Sequence, residues 1–268
     1  MLLPKCIAAL FALLIAMASE AATPLQPTGK WWLDYDEAQC IASRDYGSQS
    51  DPLGIGFKPS PRGGIMRILV IRNGPYIVAD KYPASIQFDD QPMVRMHALQ
   101  YAESQKKLRV MSINVPRSVI DANKQAKSLT ISTSGFKRTF ALSDVQPLLA
   151  ELDKCLVDLR DMWNIDKDER VATSAVPREP LGKVFSPADY PRSALEGRDQ
   201  GTVETIILVD EAGKIRDCSV ETSSEIPTLD TMSCYVFQQR AEFAPAVGKS
   251  GQPIKSGFSQ RIAWRIAP

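Results

Sequence analysis

Three kinds of apolar pattern divide the chain. Ile7 to Ala18 is an unbroken apolar run of twelve residues behind Lys5. As a helix it measures about 18 Å at ~1.5 Å per residue, short of the ~30 Å bilayer core. It ends in small residues, with Ser19-Glu20-Ala21 or Ala16-Met17-Ala18 as small-x-small cleavage motifs. Residues 1–21 therefore read as an export signal that is removed; retention as a membrane anchor is the alternative. Cys6 precedes the run, the wrong place for a lipid-modified terminus. No later stretch approaches the ~18 apolar residues of a spanning helix.

From 22 to 142 the pattern is one of short β-branched and aromatic runs broken by turn residues. Gln39–Ser43, Ile65–Arg72, Tyr76–Ala79, Ser85–Asp89, Leu108–Asn114, Ser128–Thr133 and Phe136–Leu142 read as strands. Pro59-Ser-Pro-Arg-Gly-Gly64, Asn73-Gly-Pro75, Asp89-Asp90 and Ser134-Gly135 punctuate them. A helical piece fits near 117–126. The period then changes: Val145, Leu148, Leu149, Leu152, Cys155, Leu156, Leu159 and Met162 lie on one helical stripe over 144–163. Ser143-Asp-Val-Gln146 has capping-box spacing at its start. Residues 164–182 lose periodicity, are charged and carry two prolines, as a linker does.

The last 86 residues, 183–268, show a second alternation of elements. Pro187–Gly197 reads as a short capped helix ended by glycine. Gly201–Asp210 and Ile215–Thr222 flank a tight turn at Glu211-Ala-Gly213, forming an antiparallel hairpin. Pro227 opens a helix with Leu229, Met232, Val236 and Arg240 along a stripe. Ser256–Ile266 alternates, with Phe258, Gln260, Ile262 and Trp264 on one side and Ser259, Arg261, Ala263 and Arg265 on a solvent side. The expected class is α+β in two domains: 22–163, β-rich and closed by a helix, then 183–268 with an antiparallel sheet.

Composition narrows the chemistry. Charged residues balance at 32 basic and 31 acidic, and 44% of residues are apolar, as in an ordinary globular chain. Residues 183–268 carry ten basic and eleven acidic side chains, so no basic excess points to nucleic acid. One histidine, His97, serves the chain, which removes metal sites needing two. Gly54-Ile-Gly56 lacks the third glycine of a dinucleotide loop. Asp89 and Asp90 are adjacent and read as turn residues. Trp31 and Trp32 read as one core and one rim residue, an exposed binding patch being the alternative. No cofactor is expected. Past the signal, Cys40, Cys155, Cys218 and Cys234 remain, an even count suited to two disulfides in an exported chain, with three connectivities open. Pairing Cys40 with Cys155 would tie the first strand to the 144–163 helix and stabilise by about 4–5 kcal/mol on a chain-entropy argument.

Tyr190-Pro191, Ala194, Gly197, Gly201-x-Val203, Val209-Asp210-x-x-Gly213-x-Ile215, Ser223-Ser224, Leu229-Asp230, Phe243-x-Pro245-Ala246 and the closing alternating strand form an ordered series. In order and spacing it resembles the TonB C-terminal domain over roughly 186–268. The resemblance implies a two-layer domain whose members pair an extended receptor peptide, the TonB box, with a sheet edge. It also implies a Cys218–Cys234 staple, as in a subgroup joining second strand to long helix. The partner-binding residues it suggests are Tyr190 and Pro191, together with Phe258, Gln260 and Ile262 on the last strand, where an unpaired edge can accept a foreign strand. Pro187-Ala188-Asp189 stands where members commonly carry Gln-Pro before Tyr-Pro.

An energy transducer of this family needs a membrane anchor and a long Pro-rich spacer. This chain has an export signal and a folded domain in their place. The expected function is thus that of a periplasmic, non-enzymatic protein binding an outer-membrane receptor or another envelope protein by strand addition. Homodimerisation through sheet edges is compatible with it. The alternatives are an inner-membrane transducer with proton-channel partners, if 1–21 is retained, and an enzyme in the first domain. The enzyme reading requires titratable groups to converge around His97, Asp89 or Asp90.

Overall fold

The computed structural model describes residues 23–75, 77, 80–103 and 108–266. Residues 1–21, read above as an export signal, and most of the strand expected at Tyr76–Ala79, lie outside the described residues.

The first half is built from β1 (Trp32–Asp36), β2 (Gln39–Asp45), β3 (Leu53–Pro59), β4 (Ile65–Asn73), β5 (Asp80–Phe88), β6 (Val94–Glu103), β7 (Leu108–Pro116), α1 (Arg117–Ala122), β8 (Ser128–Thr133), β9 (Phe136–Ala141) and α2 (Val145–Met162). All nine strands join one antiparallel sheet in the order β1-β2-β3-β4-β7-β6-β5-β8-β9. Leu25 bridges Phe140 on the far edge strand, and the N–H of Thr28 donates to the carbonyl of Asp45 at 2.8 Å. The segment 25–28 thus links edge strand β9 to β2, next to the opposite edge.

Alternation sets that face. Along β4, Met66, Ile68 and Val70 point into the core while Arg67, Leu69 and Ile71 are half-buried. α2 fills the interior with Leu148, Leu149, Leu152, Cys155, Leu156 and Leu159. Cys40 and Cys155 form a disulfide, Cα atoms 6.0 Å apart, fixing α2 to β2. The capping-box pattern at Ser143 is not used. Asp144 takes the N-cap in the left-handed region (φ 59°), and the Ser143 hydroxyl accepts from Arg44 Nη1 at 2.8 Å. Trp31 is half-buried, its ring 5.5 Å from that of Phe57, while Trp32 is 73% exposed. One aromatic therefore lies at the core's rim and the other in solvent.

The second half comprises β10 (Val171–Thr173), β11 (Val176–Pro177), α3 (Leu181–Val184), a 3-10 turn (Pro187–Asp189), α4 (Arg192–Glu196), β12 (Gly201–Val209), β13 (Ile215–Thr222), α5 (Pro227–Arg240), β14 (Phe243–Ala244), β15 (Ala246–Gly248), β16 (Pro253–Ile254) and β17 (Ser256–Trp264). The main sheet is antiparallel, in the order β13-β12-β17. Gly213 makes the β12–β13 turn at φ 79°, and an added Cβ would lie 2.3 Å from the Phe243 carbonyl oxygen. The molecule is α+β with antiparallel sheets, as the pattern predicts. Cys218 and Cys234 are joined, Cα atoms 5.4 Å apart, stapling β13 to α5.

Two elements depart from expectation. The helix read over Pro187–Gly197 is split, because Pro191 cannot donate to a preceding carbonyl. What remains is the 3-10 turn, closed by a Ser186–Asp189 capping box, and the five residues of α4. Residues 164–182 carry β10 and β11, which pair with β15 and β14. Asn164 and Asp166 both adopt left-handed backbone (φ 46° and 57°), reversing the chain so that Ile165 between them is buried.

One core runs through both halves. Trp163, Ile165, Ile206 and Leu208 belong to the cluster that also holds Phe57, Ile68 and Leu156. The outer face of β12 thereby packs on the first half. Its opposite face, with Ile207 and Val209, packs on Phe237 of α5 and on Phe243.

Candidate functional site

β17 lies at the rim of its sheet. It pairs with β12 from Gly201↔Trp264 to Val209↔Ser256, and no strand pairs with its other side among the described residues. The sequence-derived residues Phe258, Gln260 and Ile262 share the face turned toward α5. Phe258 packs edge-on against Phe243 (centroids 5.1 Å apart), and Ile262 is half-buried against the inner clusters. Gln260 is half-buried, and the Thr205 hydroxyl donates to its carbonyl at 3.2 Å. These side chains anchor the strand; the opposite face, Ser259, Arg261 and Ala263, is exposed.

Tyr190 and Pro191 lie beside the far end of the same strand. The Tyr190 ring meets Trp264 edge-on at 5.4 Å, and its hydroxyl donates to the Asp199 carbonyl at 2.6 Å. Burial pushes the phenol up from its usual value. Trp264 is locked from the other side by its Nε1–H, which donates to Ser233 Oγ at 2.9 Å. The fold thus brings all five sequence-derived residues to one strand and its end.

The solvent face expected for this strand is only partly open. At its beginning, Asn164 Nδ2 donates to the Lys255 carbonyl at 2.9 Å and Arg62 Nη1 donates to Ser259 Oγ at 2.7 Å. An added Cβ at Gly257 would lie 2.9 Å from Ile165 Cγ1 and 3.0 Å from Ile206 Cδ1, so glycine is needed for this close approach. The first half therefore covers 255–259 and leaves 260–264 uncovered, where the Arg261 carbonyl accepts from Gln260 Nε2 at 2.7 Å.

The other rim strand, β13, is more heavily engaged. Lys58 Nζ lies 3.4 Å from Asp217 Oδ1, and burial pushes the Lys58 amine down from its usual value against the pull of Asp217. Glu221 accepts from Ser60 Oγ and from the Arg62 backbone N–H, each at 2.8 Å. Burial still raises its carboxyl above the usual range. Arg62 also forks onto Asp166, with Nη2 to Oδ1 at 2.8 Å. Sequence reasoning missed this set; the proline- and glycine-rich 59–64 segment marks a turn but carries no sign of what the turn touches.

α5 is held at its start by Asp230, which is 1% exposed. It accepts from Ser223 Oγ (2.5 Å), Ser224 N (2.8 Å), Ser224 Oγ (2.7 Å) and, across the two halves, Asn114 Nδ2 (3.0 Å). Lys81 of β5 pairs with Asp199 across the same junction.

The groups required by an enzyme in the first half are not brought together. Asp89 (φ 46°) accepts from the backbone N–H groups of Lys127 and Ser128, closing a turn, and Asp90 is exposed. His97 lies on β6 and faces a different groove. No group of three or more metal-ligating side chains occurs among the described residues, and no described helix is long and apolar enough to cross a membrane.

Residues 186–266 match the family model for the Gram-negative bacterial TonB protein C-terminal, and these residues fold as a domain of that kind. No curated protein matches the chain. The matched stretch includes Tyr190, Pro191 and the whole of β17, but not the nine-stranded sheet.

Proposed function

We propose that this is an exported envelope protein that binds an extended segment of an outer-membrane receptor, or of another envelope protein, by strand addition to β17. The supporting observation is the unpaired rim of β17 over 260–264, inside the stretch matched to the TonB family. A rim strand presents backbone N–H and C=O groups that an incoming strand satisfies. The side chains of Phe258, Gln260 and Ile262 fix the strand's own register, so affinity resides in its backbone. Tyr190 and Pro191 border the end where the incoming chain leaves the sheet. In this reading the protein acts by binding, in the periplasm, with no reaction of its own.

The test places a photo-crosslinking side chain at exposed Ala263 in intact envelopes. An adduct with an outer-membrane receptor or a periplasmic protein, competed by a peptide from that partner, is expected. Labelling that such a peptide leaves unchanged would overturn the reading.

A further inference from the structure

A groove of about 1150 Å³ opens beside residues 94–98 of β6, which pair with β5 but not with β7, and is bounded on its far side by the β13–α5 connection. Its walls are mainly apolar, with Met93, Val94, Met96, Val119 and Ile226 prominent. Met93 is 56% exposed and Val94 37% exposed, so the lip offers water an apolar surface. On one wall Arg95 and His97 stand two residues apart on β6, hence on the same face of the strand. Neither side chain has a hydrogen bond or ion pair to another described residue.

The opposite wall is acidic but mostly occupied. Asp230 is satisfied by Asn114, Ser223 and Ser224, and Glu221 by Ser60 and Arg62. Glu225, exposed on that lip, is the one carboxylate there without a side-chain partner among the described residues. The unmatched groups are therefore cationic or neutral donors at one end, beside apolar walls, and a carboxylate at the far lip. Small-molecule sites are typically concave, about 300–1,000 Å³, apolar, and fitted with a few polar groups that fix orientation.

We propose that this groove binds a small amphipathic carboxylate, its head on Arg95 and His97 on one face of β6 and its alkyl body running past Met93 and the unpaired side of the strand to Val94, Met96 and Val119 on the other. A guanidinium takes a carboxylate in a two-pronged hydrogen bond. The walls beyond the head are mainly apolar, with the hydroxyls of Ser85, Ser132 and Thr133 scattered among them, so an apolar body fills most of that volume. The Glu225 lip repels a second anionic end, so the ligand has one charged head. This site is separate from β17 and does not depend on strand addition.

The experiment titrates dodecanoate, below its micellar concentration, into the full chain by calorimetry. Saturable binding of one molecule per chain is expected. Arg95→Gln should weaken it about tenfold, the effect of losing one charge-assisted hydrogen bond. Met93→Asp should weaken it comparably by placing a charge along the apolar path. Acetate, which has the head alone, and dodecyltrimethylammonium, which has the chain with a cation, should bind far more weakly. Both substitutions are at exposed positions, and circular dichroism of each variant checks that it is folded. Absence of saturable binding, equal affinity in wild type and both variants, or equal binding of the cationic amphiphile would each overturn the proposal.

Discussion

Asp230 shows how one side chain can decide a local structure. Its carboxylate collects the serines that precede α5 and reaches Asn114 on β7. Asp230→Ala would leave those half-buried donors without their acceptor. A loss of roughly 2–4 kcal/mol is expected, read from urea unfolding. Glu221 behaves in the opposite sense. Its carboxyl is raised in the folded protein, chiefly by burial. Over the window between its ordinary and raised values the folded state holds a proton that the unfolded chain has released. Stability contributed by this group therefore falls as pH rises through that window. Glu221→Gln should flatten the dependence, measured by urea unfolding at stepped pH between 4 and 8 (~ the window bracketing a raised carboxyl). A difference between wild type and variant that stays constant across pH would show that Glu221 does not titrate there.

At the scale of elements, the decisive test concerns β17. Successive residues of a strand at a sheet's rim direct their N–H groups alternately inward and outward. Gln260→Pro and Arg261→Pro, made separately, should therefore differ. One breaks the ladder to β12 and destabilises the fold; the other removes a donor from the open side and leaves the melting temperature near wild type. The stable variant should lose binding of the partner peptide identified by crosslinking at Ala263. Retained binding in that variant would place recognition elsewhere.

Elements with a clean period were legible in the sequence: α2 from its apolar stripe, β17 from its alternation, and the β12–β13 hairpin from Gly213. β3 and β6 were not. With Gly54 and Gly56 in place of β-branched residues, β3 carries no strand signal of its own, yet it pairs with β2 and β4 along its length. β6 mixes Arg95 and His97 with apolar residues because its outer face borders the groove. The buried side of α5 also differs from the expected stripe. Asp230 and Ser233 are buried while Arg240 is exposed, because the helix contacts β5 and β6 as well as its own sheet. A helix covered on two sides has no single apolar stripe to read.

For the whole molecule, the shared core is the main result that sequence pattern could not supply. Nothing in the strand pattern of Gly201–Asp210 says what Ile206 and Leu208 pack on, and only the three-dimensional arrangement sets them against Trp163 and Ile165. Lys58–Asp217 and Lys81–Asp199 further cross between the halves. Heating should therefore give a single transition, with near-ultraviolet signals from Trp163 and Trp264 melting together. Two resolved transitions would show that the halves unfold independently. Residues 183–268 expressed alone would uncover Ile206 and Leu208 and should be markedly less stable than the same residues in the full chain, as judged by urea midpoint.

Arg62 and Ile165 grip β17 at its beginning, and this has a mechanical meaning. A segment zipped along 260–264 and then tugged would load the strand against a neighbour that is bolted to another sheet. The pull would pass through the seam into the larger body, and the small hairpin would be spared from unravelling.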